Sequence, residues 1–321
     1  YWSVWSHQDH FGRDFRVNDL GFFRGRTNRT QVDGGFSLEQ PDPRWGVRNG
    51  GFNVYGGEAW TDERLVFNQW VGGNQWMTFR NFWGISTGFS HNFEALNDLD
   101  TRGGPPILSP AATFGYVDVN SDSRNSWRVG FHADGRHDAV GGSNRAVRFN
   151  LTLQPSGRLQ VSTAARYEVG TDIAQWIKNV DTTGDDVVDN VYGTLRRHVI
   201  DLTLRGTYAI NRDVTLQAYL QPFVAVGDYD HIRRLARPRS FEFAPAELDT
   251  DPDFNRKSVS GNMVLRWEYV RGSTFFVVWN LNTSDDTSDV GRFKPAHDLR
   301  NAFRADATNV VMIKVSYWLN R

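Results

Sequence analysis

The strongest constraint on this chain is a strict alternation of apolar and polar residues over runs much longer than an ordinary strand. From Ile200 to Ile210 the even positions are apolar, aromatic or glycine, while the odd positions from Asp201 to Thr207 carry polar side chains. After residues 211–213 the pattern restarts and continues to Val226. Soluble strands have a modal length of about 5–6 residues, whereas a strand that crosses a membrane needs about 9–11. The length of these runs therefore predicts membrane-crossing strands.

The same alternation recurs along the chain and defines a series of strands. It is clearest after residue 125, and Gly-rich spots in the first hundred residues blur it and predict bulges or bends. These spots are Gly34-Gly35, Gly50-Gly51, Gly56-Gly57 and Gly72-Gly73. The pattern predicts fourteen strands, near residues 1–10, 28–40, 45–60, 62–78, 80–95, 110–120, 125–137, 143–154, 157–170, 195–210, 212–227, 257–270, 273–283 and 308–320.

The predicted connections alternate between short and long. Very short turns fall at residues 155–156, 211–213 and 271–272, and long polar segments fall between them, at 171–194, 228–256 and 284–306. Outer-membrane barrels combine short periplasmic turns with long extracellular loops in this way. We therefore expect an all-β fold, a transmembrane antiparallel β-barrel with about 14 strands visible, formed as one domain by residues 1–321.

Composition excludes several other classes. The 36 basic and 37 acidic side chains nearly cancel, and nucleic-acid binding is favoured by a basic excess. We therefore expect no nucleic-acid partner. The absence of cysteine removes a disulfide framework or a thiol nucleophile. No run approaches the roughly 18 apolar residues of a transmembrane helix.

If the apolar faces of these strands contact lipid, their polar faces line a lumen. The side chains that we expect there are Arg128, Arg148, Arg166, Glu168, Asp201, Arg205, Gln217, Tyr219, Gln221, Arg266, Glu268 and Lys314. Both charge signs occur, so one interpretation is that cross-strand ion pairs brace the wall. The other is a polar conduit with some preference for anions, and the two are compatible.

Catalysis is the weakest of the functional interpretations. His132, Asp134, His137 and Asp138 fall near one end of a predicted hairpin, where an acid and a base could activate water. His91 and His198 are further candidates. The chain lacks a Gly-x-Ser-x-Gly, a His-Glu-x-x-His or a phosphate-loop motif, and we expect no enzymatic activity.

Two acidic segments resemble oxygen-rich calcium ligands without matching a known register. They are Asp181 to Asp189, with Asp185 and Asp186, and Glu247-Asp249-Asp251-Asp253. Neither has the spacing and distal glutamate of an EF-hand. We interpret both as solvated loops and expect neither a metal nor a cofactor.

Several segments together resemble one family of uncharacterised bacterial proteins. The order of these motifs is specific, and the resemblance covers essentially the whole chain. The motifs lie at residues 101–105 (TRGGP), 174–181 (AQWIKNVD), 217–223 (QAYLQPF), 258–279 and 315–319 (VSYWL). Members of this family join an N-terminal domain similar to carbohydrate-binding-module family nine to a C-terminal outer-membrane barrel of unknown function. The resemblance implies that this chain is the C-terminal part of a longer protein.

Fold and resemblance together favour a bacterial outer-membrane protein with a passive role. We expect a channel or substrate-access barrel for small polar solutes, which could be related to carbohydrates. The alternatives are a scaffold, anchor or surface receptor that conducts nothing, and, less favoured, an outer-membrane hydrolase or a soluble all-β protein. The expected partners are membrane lipid and lipopolysaccharide, with a periplasmic or surface protein as a further candidate.

Overall fold

The computed structural model describes residues 1–15, 27–184 and 188–319. Within these residues the chain forms seventeen strands and one short helix. The strands are β1 (Trp2–Phe11), β2 (Arg29–Gln40), β3 (Val47–Trp60), β4 (Val66–Phe79), β5 (Gly84–Asn92), β6 (Ala95–Asn97), β7 (Ile107–Ser109), β8 (Ala112–Asn120), β9 (Trp127–Asp138), β10 (Ser143–Ser156), β11 (Leu159–Val180), β12 (Asp189–Ala209), β13 (Val214–Leu235), β14 (Phe243–Pro245), β15 (Phe254–Val270), β16 (Ser273–Asp285) and β17 (Ala307–Ser316), and the helix is α1 (Pro295–Arg304).

Fourteen of these strands form one continuous antiparallel sheet in which each strand pairs with the next long strand in the chain. The order is β1-β2-β3-β4-β5-β8-β9-β10-β11-β12-β13-β15-β16-β17. The short strand β14 adds to β13, and β6 pairs with β7 as a separate hairpin. This confirms the all-β antiparallel class. In the part of the chain that the structure describes, no pairing joins β1 to β17, so the sheet is open at these two edges.

The register between neighbouring strands keeps like residues on the same face. Phe149 in β10 pairs with Phe131 and with Ala165. The next residue, Arg148, pairs with His132 on one side and with an arginine, Arg166, on the other. Because successive side chains point to opposite faces of a strand, the sheet has one face dominated by apolar residues and one dominated by polar residues. We refer to these as the apolar face and the polar face.

Much of the apolar face is uncovered. Large side chains spread across the whole sheet remain 38–70% exposed on it, namely Val4, Phe36, Phe52, Phe89, Phe131, Phe149 and Trp267. Soluble monomers rarely expose contiguous apolar patches larger than a few hundred Å². This surface therefore requires a covering that the described chain supplies only in part.

Two of the predicted loops contain long extensions of the neighbouring strands. The segments 171–194 and 228–256 were expected to be polar loops, but β11 continues to Val180, β12 begins at Asp189 and β13 continues to Leu235. The register shifts twice between β11 and β12 and once between β12 and β13. Each bulge reverses the phase of the alternation, which is why the sequence pattern stopped short of the true strand ends.

The expected long loops at one end of the sheet are also not uniform. The connections 61–65 and 139–142 leave the same end as the long segment 286–306, yet they are tight turns. The opposite end keeps short connections throughout, including residues 157–158 and 271–272. The prediction of short turns at one end is confirmed, and that of long loops holds for only some connections at the other. We call these the short-turn end and the long-loop end.

Part of the apolar face is covered by the segment that carries α1. Pro295 stands in the first turn of the helix, where its missing N–H costs nothing. The hydroxyl of Thr283 in β16 donates to the carbonyl of Ala302 (2.6 Å), and Phe293 stacks on His198 of β12 with ring centroids 4.4 Å apart. Among the described residues, no helix combines the length and apolar character that crossing a membrane requires.

Candidate functional site

The register places all twelve of the predicted lumen residues on the polar face. They do not form one site, because only some of them contact one another. The largest group surrounds Glu168, whose side chain is 14% exposed. Its carboxylate lies 2.5 Å from Arg166 and 3.2 Å from Arg197, and Arg197 reaches Asp172 at 2.7 Å. Two arginines and two carboxylates thus bridge β11 and β12.

Arg197 and Asp172 were missed by the sequence-based prediction. Asp172 lies beyond the predicted end of β11. Arg197 lies inside a predicted strand and in the same phase as Asp201. That shared phase is the sequence signal that places Arg197 on the polar face.

A second group on the same face joins β12 and β13. Gln221 donates to Asp201 (2.9 Å) and accepts a hydrogen bond from the hydroxyl of Tyr219 (2.5 Å). The guanidinium of Arg205 lies 5.1 Å from the centre of the Tyr219 ring, within cation–π distance. Four predicted residues therefore form one cross-strand chain of polar contacts.

The remaining predicted residues are less constrained. Arg266 pairs with Glu268 (2.9 Å) at the short-turn end. In the described chain, the side chains of Arg128, Arg148, Gln217 and Lys314 form no hydrogen bond or ion pair. Two arginines on neighbouring strands β9 and β10 therefore leave positive charge uncompensated on the polar face.

The four residues proposed for water activation do not converge. His132 and Asp134 lie on the polar face, whereas His137 lies on the apolar face. Asp138 is used in the turn that follows β9, where it accepts the backbone N–H of Gly142 (2.6 Å). The four side chains therefore do not form one site, although His132 and Asp134 contact each other.

His132 lies between two carboxylates. Its Nδ1 is 2.9 Å from Asp118 and its Nε2 is 3.1 Å from Asp134, and Tyr116 stacks on the ring. Each ring nitrogen faces a carboxylate oxygen, so both nitrogens are already occupied by contacts that join β8 to β9. The other candidates lie on the apolar face, where His91 contacts Thr113 (2.9 Å) and His198 lies under Phe293.

Two carboxylates of the acidic segments already have partners, partly on β13. Asp189 accepts a hydrogen bond from Thr182 and pairs with Arg234 (3.2 Å). Asp253 accepts the backbone N–H of Tyr229 (2.6 Å). The predicted Asp185 and Asp186 lie outside the described residues.

One group of possible metal ligands lies beside α1. It consists of Asp289, His297 and Asp298. The ammonium of Lys294 is 2.8 Å from Asp289, and the backbone N–H of Lys294 donates to Asp298 (2.7 Å). These carboxylates therefore already have cationic and N–H partners from the chain itself.

A fully buried lysine lies beneath the same segment. Lys257 donates to the carbonyl (2.7 Å) and the hydroxyl (2.9 Å) of Ser288, and lies 3.4 Å from Asp285. Asp285 also accepts hydrogen bonds from the hydroxyl and backbone N–H of Ser288 and from the backbone N–H of Thr287.

Aromatic rings seated on glycines dominate the polar face of the first strands. A Cβ on Gly57 would lie 2.5 Å from the Trp70 ring, and one on Gly51 would lie 2.6 Å from Trp76. The other pairs of the same kind are Trp5 on Gly35, Tyr55 on Gly72 and Tyr116 on Gly88. The register runs unbroken through these glycines. The bulges predicted there are wrong, because the glycines make room for rings instead.

Comparison with known families settles the relationship of this chain. Residues 2–320 match the family described as Domain of unknown function (DUF5916). The chain belongs to this family. No curated protein and no solved structure matches the chain. The chemistry of this DUF5916 chain must therefore be inferred from its own residues.

The polar face of the DUF5916 sheet divides into two regions. The N-terminal region, formed by β1–β5 and β8, carries the rings seated on glycines. The C-terminal region, formed by β9–β13 and β15–β17, carries the arginine–carboxylate groups. Both regions belong to the same sheet and share its apolar reverse side.

Proposed function

We propose that this sheet is the wall of an outer-membrane β-barrel that acts as a passive channel for small polar solutes. The observation that carries the proposal is the uncovered apolar face opposite a polar face on strands of membrane-spanning length. Lipid is the covering that such a surface fits, because a barrel presents its apolar band to the membrane and its polar residues to the interior.

The dimensions of the apolar face support this proposal. On β12 its upper boundary is marked by Arg196, which lies 3.4 Å from Asp228 and from Asp230. Thirteen residues separate Arg196 from Ala209 at the short-turn end. At about 3.3 Å per residue this is roughly 43 Å along the strand, and a tilt near 45° reduces it to about 30 Å, the thickness of a bilayer core.

The edges of the sheet are compatible with closure. With fourteen strands in antiparallel order, β1 and β17 run in opposite directions, as adjacent strands of a barrel must. Both edge strands expose apolar side chains, including Trp2 (72%) and Ile313 (66%). We propose that these edges are paired in the membrane, since an exposed apolar edge otherwise invites aggregation.

The proposed location is the bacterial outer membrane. Lipid would contact the apolar face, and lipopolysaccharide would surround the long-loop end. We also propose that the chain is accompanied by the carbohydrate-binding-like domain that its sequence resemblance implies. A periplasmic or surface protein is a further proposed partner.

Planar-bilayer recording tests the channel. We expect purified protein, folded in detergent, to give stepwise currents after insertion into a bilayer. A double charge reversal, Arg128→Glu with Arg148→Glu, serves as a matched variant and should shift the reversal potential toward cation preference. Folded and inserted protein without current would overturn the channel and favour the scaffold.

A further inference from the structure

The rings of the N-terminal region follow one another along the polar face. Trp70 and Trp76 are both on β4, six residues apart, which corresponds to about 20 Å along the strand. Tyr55 pairs with Gly72 and so lies between them. Tyr116 pairs with Gly88, at the level of Asn74 on β4. The rings therefore occupy successive levels from the long-loop end toward the short-turn end.

Each ring has one side against the sheet. Its atoms occupy the space that a Cβ would take, at 2.4–2.9 Å from the ideal Cβ position on the glycine. A ring in this seat is held by the backbone beneath it, and its other side is turned away from the sheet. The rings are half-buried, and Trp5 is 38% exposed. The result is a series of fixed, partly open aromatic surfaces.

The polar groups beside these rings are largely neutral or already paired. Asn53 donates to Asn74 across β3 and β4 (3.2 Å). Asp9 pairs with Arg29 (2.6 Å), and Asp33 accepts from Gln31 (2.8 Å). Apart from the exposed Glu39 beside Gly51, a ligand in front of this region meets amides, apolar rings and charged groups that are already paired within the protein. The chemistry favours a neutral, hydroxyl-rich ligand that also has an apolar face.

We propose that the N-terminal region binds neutral oligosaccharides by stacking pyranose rings on Trp70, Tyr55, Tyr116 and Trp76. The C–H face of a pyranose covers an aromatic ring, and its hydroxyls exchange hydrogen bonds with amides such as those of Asn53 and Asn74. This inference rests on the proposed channel, because it requires the polar face to border an aqueous space.

A purely structural role for the rings makes a different prediction. Aromatic rings that cover glycines also stabilise a sheet, so replacing them lowers stability whether or not a sugar binds. Stability and sugar binding must therefore be measured separately. Trp267 provides a control, because it lies on the opposite, apolar face and is 48% exposed.

The experiment uses bilayer currents and calorimetry with maltohexaose as the probe. We expect maltohexaose to interrupt the current at concentrations where a poly(ethylene glycol) of equal mass does not. Trp70→Ala and Trp76→Ala should each weaken the sugar affinity about tenfold, and Trp267→Ala should leave it unchanged. If an alanine variant does not fold, Trp70→Phe and Trp76→Phe keep an aromatic ring over the glycine. These variants should weaken the sugar affinity about threefold.

The outcomes separate this inference from the channel itself. Current without selective interruption by maltohexaose, or equal affinity in the tryptophan variants and the wild type, overturns oligosaccharide binding and leaves the channel intact. Absence of current overturns the channel. Calorimetry on the same protein in detergent then decides the inference, and a lack of measurable maltohexaose binding overturns it as well.

Discussion

The N-terminal and C-terminal regions build one polar face by two different kinds of contact. In the N-terminal region, aromatic rings are seated on glycines, as with Trp70 on Gly57. In the C-terminal region, arginines and carboxylates bridge strands, as with Arg197 between Glu168 and Asp172. The first kind depends on shape and the second on charge. One polar surface is thus neutral and shape-complementary in one part and charged in another.

The two regions should therefore respond differently to the same perturbation. The packing of rings on glycines tolerates salt and acid but not an added methyl group, because these contacts are close-packed. The arginine–carboxylate ion pairs tolerate small changes in volume but weaken when a partner is removed or protonated.

The largest effect is expected at the buried charge of Lys257, which lies beneath the α1 segment on the apolar side of the C-terminal strands. Asp285→Ala removes the carboxylate partner of the fully buried Lys257, and an unpaired buried charge costs about 3–5 kcal/mol. We expect the free energy of unfolding to fall by that amount, measured by urea denaturation. Adding Lys257→Met to this variant should recover most of the loss. A loss below about 1 kcal/mol would show that the ammonium is solvated.

The next effect is expected in the N-terminal region. Gly57→Ala places a Cβ 2.5 Å from the Trp70 ring and 2.7 Å from the carbonyl of Val32, and overpacking of this kind costs about 1–3 kcal/mol. Gly206→Ala is the matched control, because a Cβ there meets nothing within 4 Å. Equal unfolding midpoints for the two variants would contradict the ring-on-glycine contact.

A smaller effect is expected from the ion pairs of the C-terminal region. Arg197→Met removes contacts to Glu168 and Asp172, and hydrogen bonds to charged groups contribute about 1.5–3 kcal/mol before screening. Because Arg197 is 30% exposed, we expect a loss near 1 kcal/mol that shrinks in 1 M salt. Arg148→Met, which removes no ion pair, should change stability by less than about 0.5 kcal/mol.

The smallest effect is expected in the turn between the two regions. Hydrogen bonds from the side chain and backbone N–H of Arg124 lower the pKa of Asp122 to about 2. Since the folded pKa lies below the unfolded value of 3.8, the contribution is fully present above pH 4 and is lost between pH 4 and 2. Asp122→Asn should flatten this part of the stability curve. An unchanged curve would show that Asp122 does not stabilise the turn.

The alternation predicted the sheet well and its details less well. All fourteen long strands were located, because a buried or lipid-facing side imposes a period of two that no helix shares. The ends of β11–β13 were missed where bulges reverse the phase. α1 was missed because its short sequence packs on the sheet through Asp298 and Ala302, which are buried, and lacks a broad apolar stripe.

The polar face could be predicted as a surface but not as a set of contacts. Alternation placed Arg166 and Asp201 on the correct side, yet only the cross-strand register brings Glu168 to Arg197 and Asp201 to Gln221. The glycines beneath these rings predict bulges or bends, since a glycine in a strand has the same sequence signature in both cases. Long-range register is the information that a single sequence lacks.

The most direct test of the central claim, that the apolar face contacts lipid, is a spin-label scan of β10 in liposomes. The chain has no cysteine, so single-cysteine variants from Val147 to Leu153 carry one label each. We predict that accessibility to oxygen peaks at the odd positions and accessibility to a water-soluble nickel chelate peaks at the even positions. Equal access of the nickel chelate to both series would contradict a membrane-embedded wall.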